Sequence, residues 1–287
     1  MPSTTVGRAL NSATERLRDA GCMSAHLDAQ VILAFVLGTD RSWLFAHYDY
    51  TLNEDESERF TDLIARRAAS EPVAYLVGRR EFYGLDLSVD QRVLIPRPET
   101  EMLVDAVLNY IGTREPQPVV RVADIGTGSG AIALALATNC IQTEVYAVDV
   151  SSDALAVAQE NVRRLDRRGQ VTVLQGDLLA TLPEKVDIIV ANLPYINSRD
   201  YAELHPTVRN FEPRLALEAG PDGLDAIRRL LQQAPHVLRP NGLIVLEIAH
   251  DQGALILQTI EEWLPQPQQI DLRTDYADLD RMVMIVV

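Results

Sequence analysis

The stretch Val119–Thr138, VVRVADIGTGSGAIALALAT, places three glycines at alternate positions between two apolar runs. The first run, VVRVADIG, reads as a buried strand, and the second, GAIALALAT, reads as a helix. Gly126, Gly128 and Gly130 occupy the turn between them, where the absence of a side chain lets backbone approach a ligand closely. Gly126-x-Gly128-x-x-Ala131 also satisfies the dinucleotide fingerprint, with alanine in its last place. A glycine-rich turn that serves only to pack helix on strand would meet the same pattern.

Downstream of this turn the chain alternates strands and helices. EVYAVDV, VTVLQGD, KVDIIVANLPY and GLIVLEI read as strands, and SDALAVAQENVRRL with segments near 223–238 and 253–263 as helices. Alternation of this kind predicts a mostly parallel sheet with helices on both faces. The last two strands, ending in RMVMIVV, lack a helix between them and predict an antiparallel pair at one edge. Upstream, from about residue 4 to 77, apolar residues recur at three-to-four spacing, and Gly21, Gly38 and Pro72 mark expected helix ends. REFYGLDLSVDQRVLIP then alternates polar and apolar residues around a turn at Gly84, as a hairpin does. The expected organisation is a helical bundle over 1–77, a hairpin linker over 78–98 and a catalytic domain over 99–287.

The strand ends carry the chemistry, because open α/β sheets bind ligands at their carboxyl edge. Asp149 ends the strand after the glycine turn and can accept hydrogen bonds from both hydroxyls of a ribose. Ser151 or Ser152 can cap the following helix without it. Asp177 ends the next strand and can accept from an adenine amine, with Leu178 against the base; an Asx turn is the plain alternative. The fourth strand ends in VANLPYI, Val190–Ile196, where an amide, a proline and an aromatic ring follow an apolar run. A dehydrogenase uses the first two of these features and has no role for the last.

Composition narrows the classes further. The chain has 287 residues, 47% hydrophobic and 23% charged, with a formal net charge of -15. An acidic surface repels phosphate backbones and disfavours direct nucleic-acid binding. Two cysteines far apart, Cys22 and Cys140, suggest neither a disulfide framework nor a zinc site, and the five histidines show no ligand spacing. The apolar run VILAFVL at 31–37 is too short to span a bilayer. The expectation is a soluble cytoplasmic protein with no metal. Arg66, Arg67, Arg79 and Arg80 form a local basic excess, either a solvated helix end or a face for an acidic partner.

EFYGLDLSVDQRVLIPRPETEMLVD, DIGTGSGAIALALA, AVDVSSDALAVAQEN, NLPYI and VRNFEPRLALEAGPDGLDAIRRLL together cover most of residues 75–240. With these the chain resembles the class I S-adenosylmethionine-dependent methyltransferases, and more narrowly the HemK-type peptide chain release factor N5-glutamine methyltransferases. The resemblance implies a Rossmann-like methyltransferase sheet with a small N-terminal helical domain that helps bind the release factor. It implies methyl transfer from S-adenosyl-L-methionine to the side-chain amide of the glutamine in the Gly-Gly-Gln motif of class I release factors. By position, Gly126, Thr127, Gly128, Ser129 and Gly130 would contact the donor. Asp149 would hold its ribose, and Asp177 and Leu178 its adenine. Asn192, beside the donor, would hold the acceptor glutamine together with Leu193, Pro194 and Tyr195.

An amide nitrogen is a poor nucleophile, so such a site has to position and polarise it. The Asn192 side-chain oxygen and the Leu193 carbonyl can each accept one N–H, and Tyr195 can stack on the flat amide. The family commonly carries proline where this chain has Leu193. Leucine there is typical of rRNA adenine dimethyltransferases, which makes an rRNA adenine N6-methyltransferase the second reading. Those proteins begin almost directly with the donor domain, whereas about a hundred residues precede it here. A ribosomal protein L3 glutamine methyltransferase shares the same site logic. An NAD-dependent oxidoreductase and a non-catalytic adenosine-binding module are the readings from other classes.

Overall fold

The computed structural model describes residues 4–115, 117–167 and 169–287. The chain divides into two compact units, one comprising residues up to Arg79 with His205–Phe211, the other Arg80–Leu204 with Glu212–Val287.

In the first unit, α1 (Val6–Asp19), α2 (Ala25–Leu37) and α4 (Glu54–Ala68) carry the predicted helical periodicity, with α3 (Arg41–Ala46) and α5 (Val73–Val77) between and after them. Leu10, Leu17, Ile32, Leu33, Leu44 and Phe60 share one buried core. Asn53 and Glu56 form a reciprocal capping box that starts α4. Gly38 closes α2 in the left-handed region at φ 65°, as its sequence position predicts. Pro72 follows the end of α4 at Ala68, as expected, and also opens the next helix. It stands at the N-cap of α5, where its fixed φ and missing N–H suit a helix start. The basic cluster is largely consumed internally, since Arg67 pairs with buried Asp28 at 2.8 Å and Arg66 pairs with Glu71 at 2.7 Å.

The hairpin is present as β1 (Arg79–Phe82) and β2 (Leu85–Ser88). After α6 (Glu101–Thr113), the second unit alternates β3 (Val120–Ile125), α7 (Ala131–Asn139), β4 (Thr143–Asp149), α8 (Ser152–Arg164), β5 (Val171–Gln175) and β6 (Val186–Ala191). Where the sequence predicts a loop there are two short helices, α9 (Ser198–Glu203) and α10 (Pro206–Arg209), the latter in the first unit. Then follow α11 (Asp225–Val237), β7 (Leu238–Glu247), α12 (Gly253–Trp263), β8 (Gln269–Thr274) and β9 (Asp280–Val286).

The sheet has seven strands in the order β5-β4-β3-β6-β7-β9-β8. β3 pairs in parallel with β4 and with β6, so the strand order reverses at β3 and opens a crevice between the ends of β3 and β6. β9 runs antiparallel to both β7 and β8. The final two strands are thus the antiparallel pair predicted, with the reversed strand one position in from the edge.

β6 is buried along its whole length, as a central parallel strand should be. Its alternate residues serve opposite faces: Ile188 and Val190 join Leu103, Val107 and Leu134 from α6 and α7. Ile189 and Ala191 join Ile227, Leu231 and Ile256 from α11 and α12. Burial on both faces fixes the strand register and therefore where each strand end falls.

Candidate active site

A cavity of about 200 Å³ lies at the carboxyl edge of the sheet, with Gly126, Gly128, Asp149, Asp177, Leu178 and Asn192 in its wall. The ends of β3, β4, β5 and β6 therefore meet at one place. Leu193 and Pro194 complete the wall on the β6 side, and Arg92, Val93 and Leu94 approach from the segment after the hairpin.

The glycine turn depends on the freedom of its glycines. Gly126 has φ 72°, and a Cβ there would lie 3.2 Å from the Leu193 side chain and 3.6 Å from the Asn192 carbonyl oxygen. The turn is anchored from below: Gly126 and Thr127 donate their N–H groups to the Val148 carbonyl at 2.8 and 3.0 Å. The Thr127 hydroxyl donates to Asp124 at 2.6 Å, and the Ala133 N–H donates to the same carboxylate oxygen at 3.1 Å. Asp124 is fully buried, and its other oxygen has no partner among the described residues. Burial pushes its carboxyl up to about 7, against the pull of those two hydrogen bonds.

Of the five loop residues, then, Gly126 and Gly128 form the cavity wall. Thr127 and Ser129 are buried, and Gly130 is the left-handed N-cap of α7. Asn161, fully buried on α8, locks this loop to the hairpin. It accepts from the Ser88 N–H at 2.8 Å and donates to the carbonyls of Ser88 and Ser129 at 3.0 and 2.9 Å.

Ser151, not Asp149, caps α8 by accepting from the Ala154 N–H at 3.2 Å. Each Asp149 oxygen instead accepts one backbone N–H, from Gly128 at 3.0 Å and from Ser151 at 2.9 Å. The carboxylate is held rigid at the cavity wall with further lone pairs to offer. Asp177 also reaches the wall, where one of its oxygens is engaged by Arg229 of α11 in an exposed ion pair. Leu178 beside it is buried at φ 55°.

The VANLPYI segment is pinned on several sides. The Ile196 N–H donates to the Leu217 carbonyl at 2.9 Å, and Gln252 donates through Nε2 to the Tyr195 carbonyl at 3.0 Å. Asn192 Nδ2 donates to the Thr100 hydroxyl at 3.0 Å, and that hydroxyl donates to Glu247 Oε2 at 2.7 Å. The Tyr195 hydroxyl donates to Glu247 Oε1 at 3.2 Å. Burial lifts the Glu247 carboxyl to about 7, opposed by the hydrogen bonds from Thr100 and Tyr195 and by the charge of Arg281. Burial and the charge of Glu247 also push the Tyr195 phenol upward. Tyr195 is half-buried, adjoining in sequence the three residues that form the wall.

Arg97 acts as a strut. It pairs with Glu212, whose carboxylate is buried and also accepts the Ile95 N–H at 3.1 Å. Thr100, Glu247 and Gln252 were not anticipated from the sequence. For Glu247 a signal existed, since it is an acid ending an apolar strand at the same edge as Asp149. Thr100 and Gln252 offer no such pattern. Among the described residues, no cluster of His, Cys, Asp and Glu could hold a metal ion, and no helix is long and apolar enough to cross a membrane.

Residues 8–78 match the PrmC N-terminal domain, and residues 101–209 match the methyltransferase small domain. Over 96% of its length the chain is 44% identical to a release factor glutamine methyltransferase of Moorella thermoacetica, and it covers 96% of that protein. The chain belongs to the release factor glutamine methyltransferase family. A second member, from Rhodopirellula baltica, is 42% identical over 97% of this chain and 95% of its own. A solved structure of the hMettl16 catalytic domain in complex with MAT2A 3'UTR hairpin 6 superposes with a TM-score of 0.58 at 18% identity. It covers 78% of this chain and 81% of that one, a likeness of fold. Membership of the release factor glutamine methyltransferase family agrees with the resemblance read from the motifs, and the Rossmann-like class I methyltransferase sheet expected from them is the architecture found.

Proposed function

We propose that this protein transfers the methyl group of S-adenosyl-L-methionine to the side-chain amide nitrogen of the glutamine in the Gly-Gly-Gln motif of class I release factors. The observation that carries the proposal is the convergence of the glycine turn, Asp149 and Asn192 on one cavity wall. The donor set suits a nucleoside: backbone at Gly126 and Gly128 where side chains are excluded, a carboxylate at Asp149 for ribose hydroxyls, and an apolar surface at Leu178 with Asp177 beside it for the base. Thr127, Ser129 and Gly130 support this wall from behind. When bound, the donor supplies an electrophilic methyl on a sulfonium, itself a good leaving group.

The chain's own residues then have to present the acceptor. The Asn192 side-chain oxygen accepts one amide N–H and the Leu193 carbonyl the other, which fixes the nitrogen and raises its electron density as transfer proceeds. Pro194 stiffens the turn that aims them. Tyr195 offers a ring face to the planar amide. No side chain need remove a proton before transfer, because the nitrogen loses it to water after the bond to carbon has formed. The helical unit would engage the release factor, and such a substrate places the reaction in the cytoplasm.

Leu193 is the feature that favours a second reading, an rRNA adenine N6-methyltransferase, in which the same acceptors would take the exocyclic amine. Incubation with labelled S-adenosylmethionine and, separately, a release factor, ribosomal protein L3 and rRNA, followed by mass mapping of the methylated atom, separates these substrates. Label on the release factor glutamine is expected, and label confined to RNA would overturn the proposal. Asn192→Ala should lower turnover by about 10²–10³ while leaving affinity for S-adenosylhomocysteine nearly unchanged; parallel loss of that affinity would show that Asn192 serves the donor instead.

A further inference from the structure

An asparagine amide has two ends of similar size, and only its oxygen can accept an N–H from a substrate amide. What decides which end faces the cavity is a hydrogen-bond relay behind it. Thr100, buried at the start of α6, has a single hydroxyl proton, which it gives to Glu247 Oε2 at 2.7 Å. With its proton committed, the hydroxyl can only accept from Asn192, and it does so from Nδ2 at 3.0 Å. The Glu247 carboxylate accepts at both ends, its second oxygen taking the Tyr195 hydroxyl proton at 3.2 Å. Burial lifts this carboxyl to about 7 and Glu99 adds to the lift, while the two hydrogen bonds and the charge of Arg281 favour its charged form. Above about pH 7, where this carboxyl is ionised, the direction of every bond in the relay follows from one end, because an ionised carboxylate has no proton to return.

We propose that Thr100 and Glu247 are positioning residues that hold the Asn192 amide with Oδ1 toward the acceptor nitrogen and Nδ2 away from it. Reversal of the amide would set an N–H against the substrate's own N–H and remove the acceptor that aligns it. The relay also ties the two acceptor-side groups together, since Asn192 and Tyr195 end on opposite oxygens of one carboxylate. This inference rests on the reading of Asn192 as the glutamine acceptor.

The test compares Thr100→Val, which keeps the shape and removes the hydroxyl, with Thr100→Ser, which keeps the hydroxyl. Methyl transfer to a release factor is followed at saturating S-adenosylmethionine, and S-adenosylhomocysteine binding is measured by calorimetry. Thr100→Val should lower kcat by about 10- to 100-fold, the loss of one buried hydrogen bond to the amide that aligns the acceptor, with donor affinity within about twofold. Thr100→Ser should restore kcat to within about threefold of wild type. Glu247→Gln provides a second line if the valine variant folds poorly. Its amide carries protons of its own and cannot enforce the direction, so kcat should fall at least about fivefold. Wild-type kcat in both Thr100→Val and Glu247→Gln, or equal losses in Thr100→Val and Thr100→Ser, would overturn the relay. Asn192→Ala, assayed alongside, separates the two levels. If it is inactive while Thr100→Val is fully active, only the relay fails; if it retains full turnover, the acceptor role of Asn192 fails with it.

Discussion

Replacing Asn161 by alanine removes three hydrogen bonds to backbone, besides a longer one from Arg164 at 3.4 Å, and both ends of the backbone loss are structurally defined. Ser88 in the hairpin loses a partner for its N–H and one for its carbonyl, and Ser129 in the glycine turn loses one for its carbonyl. Asn161 is fully buried, so water does not readily take its place. At roughly 1–1.5 kcal/mol per bond the variant should be destabilised by about 3–4 kcal/mol. For a unit of this size that corresponds to a fall in melting temperature of roughly 10 °C. The damage should also reach the donor, because Ser129 lies between the two glycines Gly128 and Gly130. Affinity for S-adenosylhomocysteine should weaken about tenfold, or about 1.4 kcal/mol. Urea denaturation gives the first quantity and calorimetric titration of the folded variant the second. A destabilisation below about 1 kcal/mol, or full destabilisation with unchanged affinity, would refute the idea that Asn161 couples hairpin to donor turn.

Two further substitutions probe the same wall. Asp124 is raised from 3.8 to about 7 in the fold, so between those values the folded state holds a proton that the unfolded chain has released. Stability should therefore fall as pH rises through that window and level off above it, and Asp124→Asn, which cannot ionise, should gain relative to wild type from pH 4 to pH 8 by on the order of 4 kcal/mol. Denaturation of both proteins across this range measures the difference, and a constant gap would show that Asp124 is ionised throughout. Gly126→Ala forces a side chain into φ 72° and brings its Cβ to 3.2 Å from Leu193. The strain is about 1–2 kcal/mol, and because it falls on the cavity wall, donor affinity should drop about tenfold in a protein that remains folded; unchanged affinity would mean the donor does not approach this turn.

How far the sequence could be read depended on whether a feature announces itself within one segment. The parallel sheet was legible because burial on both faces makes its central strands β3 and β6 near-continuous apolar runs, and Asp149 and Asn192 were legible because each comes at the end of an apolar strand at the same edge. Thr127 and Ser129 illustrate the limit. Their place among the glycines suggests ligand contact, yet the hydroxyl of Thr127 turns down to Asp124, and nothing local distinguishes the two directions. Pro72 suits either end of a helix and needed its neighbours to decide. Thr100 was invisible for a different reason: its two partners lie 92 and 147 positions away in the chain, and only the packed sheet brings them to it. The Arg97–Glu212 strut, 115 positions apart, is the same case.

The stretch from Ser88, at the end of the hairpin, to Thr100 ahead of α6 contributes no strand to the seven-stranded sheet, yet it is fastened to the rest of the second unit in three places. Ser88 is held by Asn161, Ile95 and Arg97 by Glu212, and Thr100 by Asn192 and Glu247. On the proposed reading, the part that folds as a sheet and the part that presents an acceptor amide have different boundaries. A gene fusion or duplication that copied the sheet from Glu101 onward would inherit every strand of the seven-stranded sheet and the glycine turn, but not the Thr100 hydroxyl to which Asn192 donates. In such a lineage donor binding and methyl transfer would be separately heritable, and the short stretch ahead of the sheet would be the part whose gain or loss divides a binding protein from an enzyme.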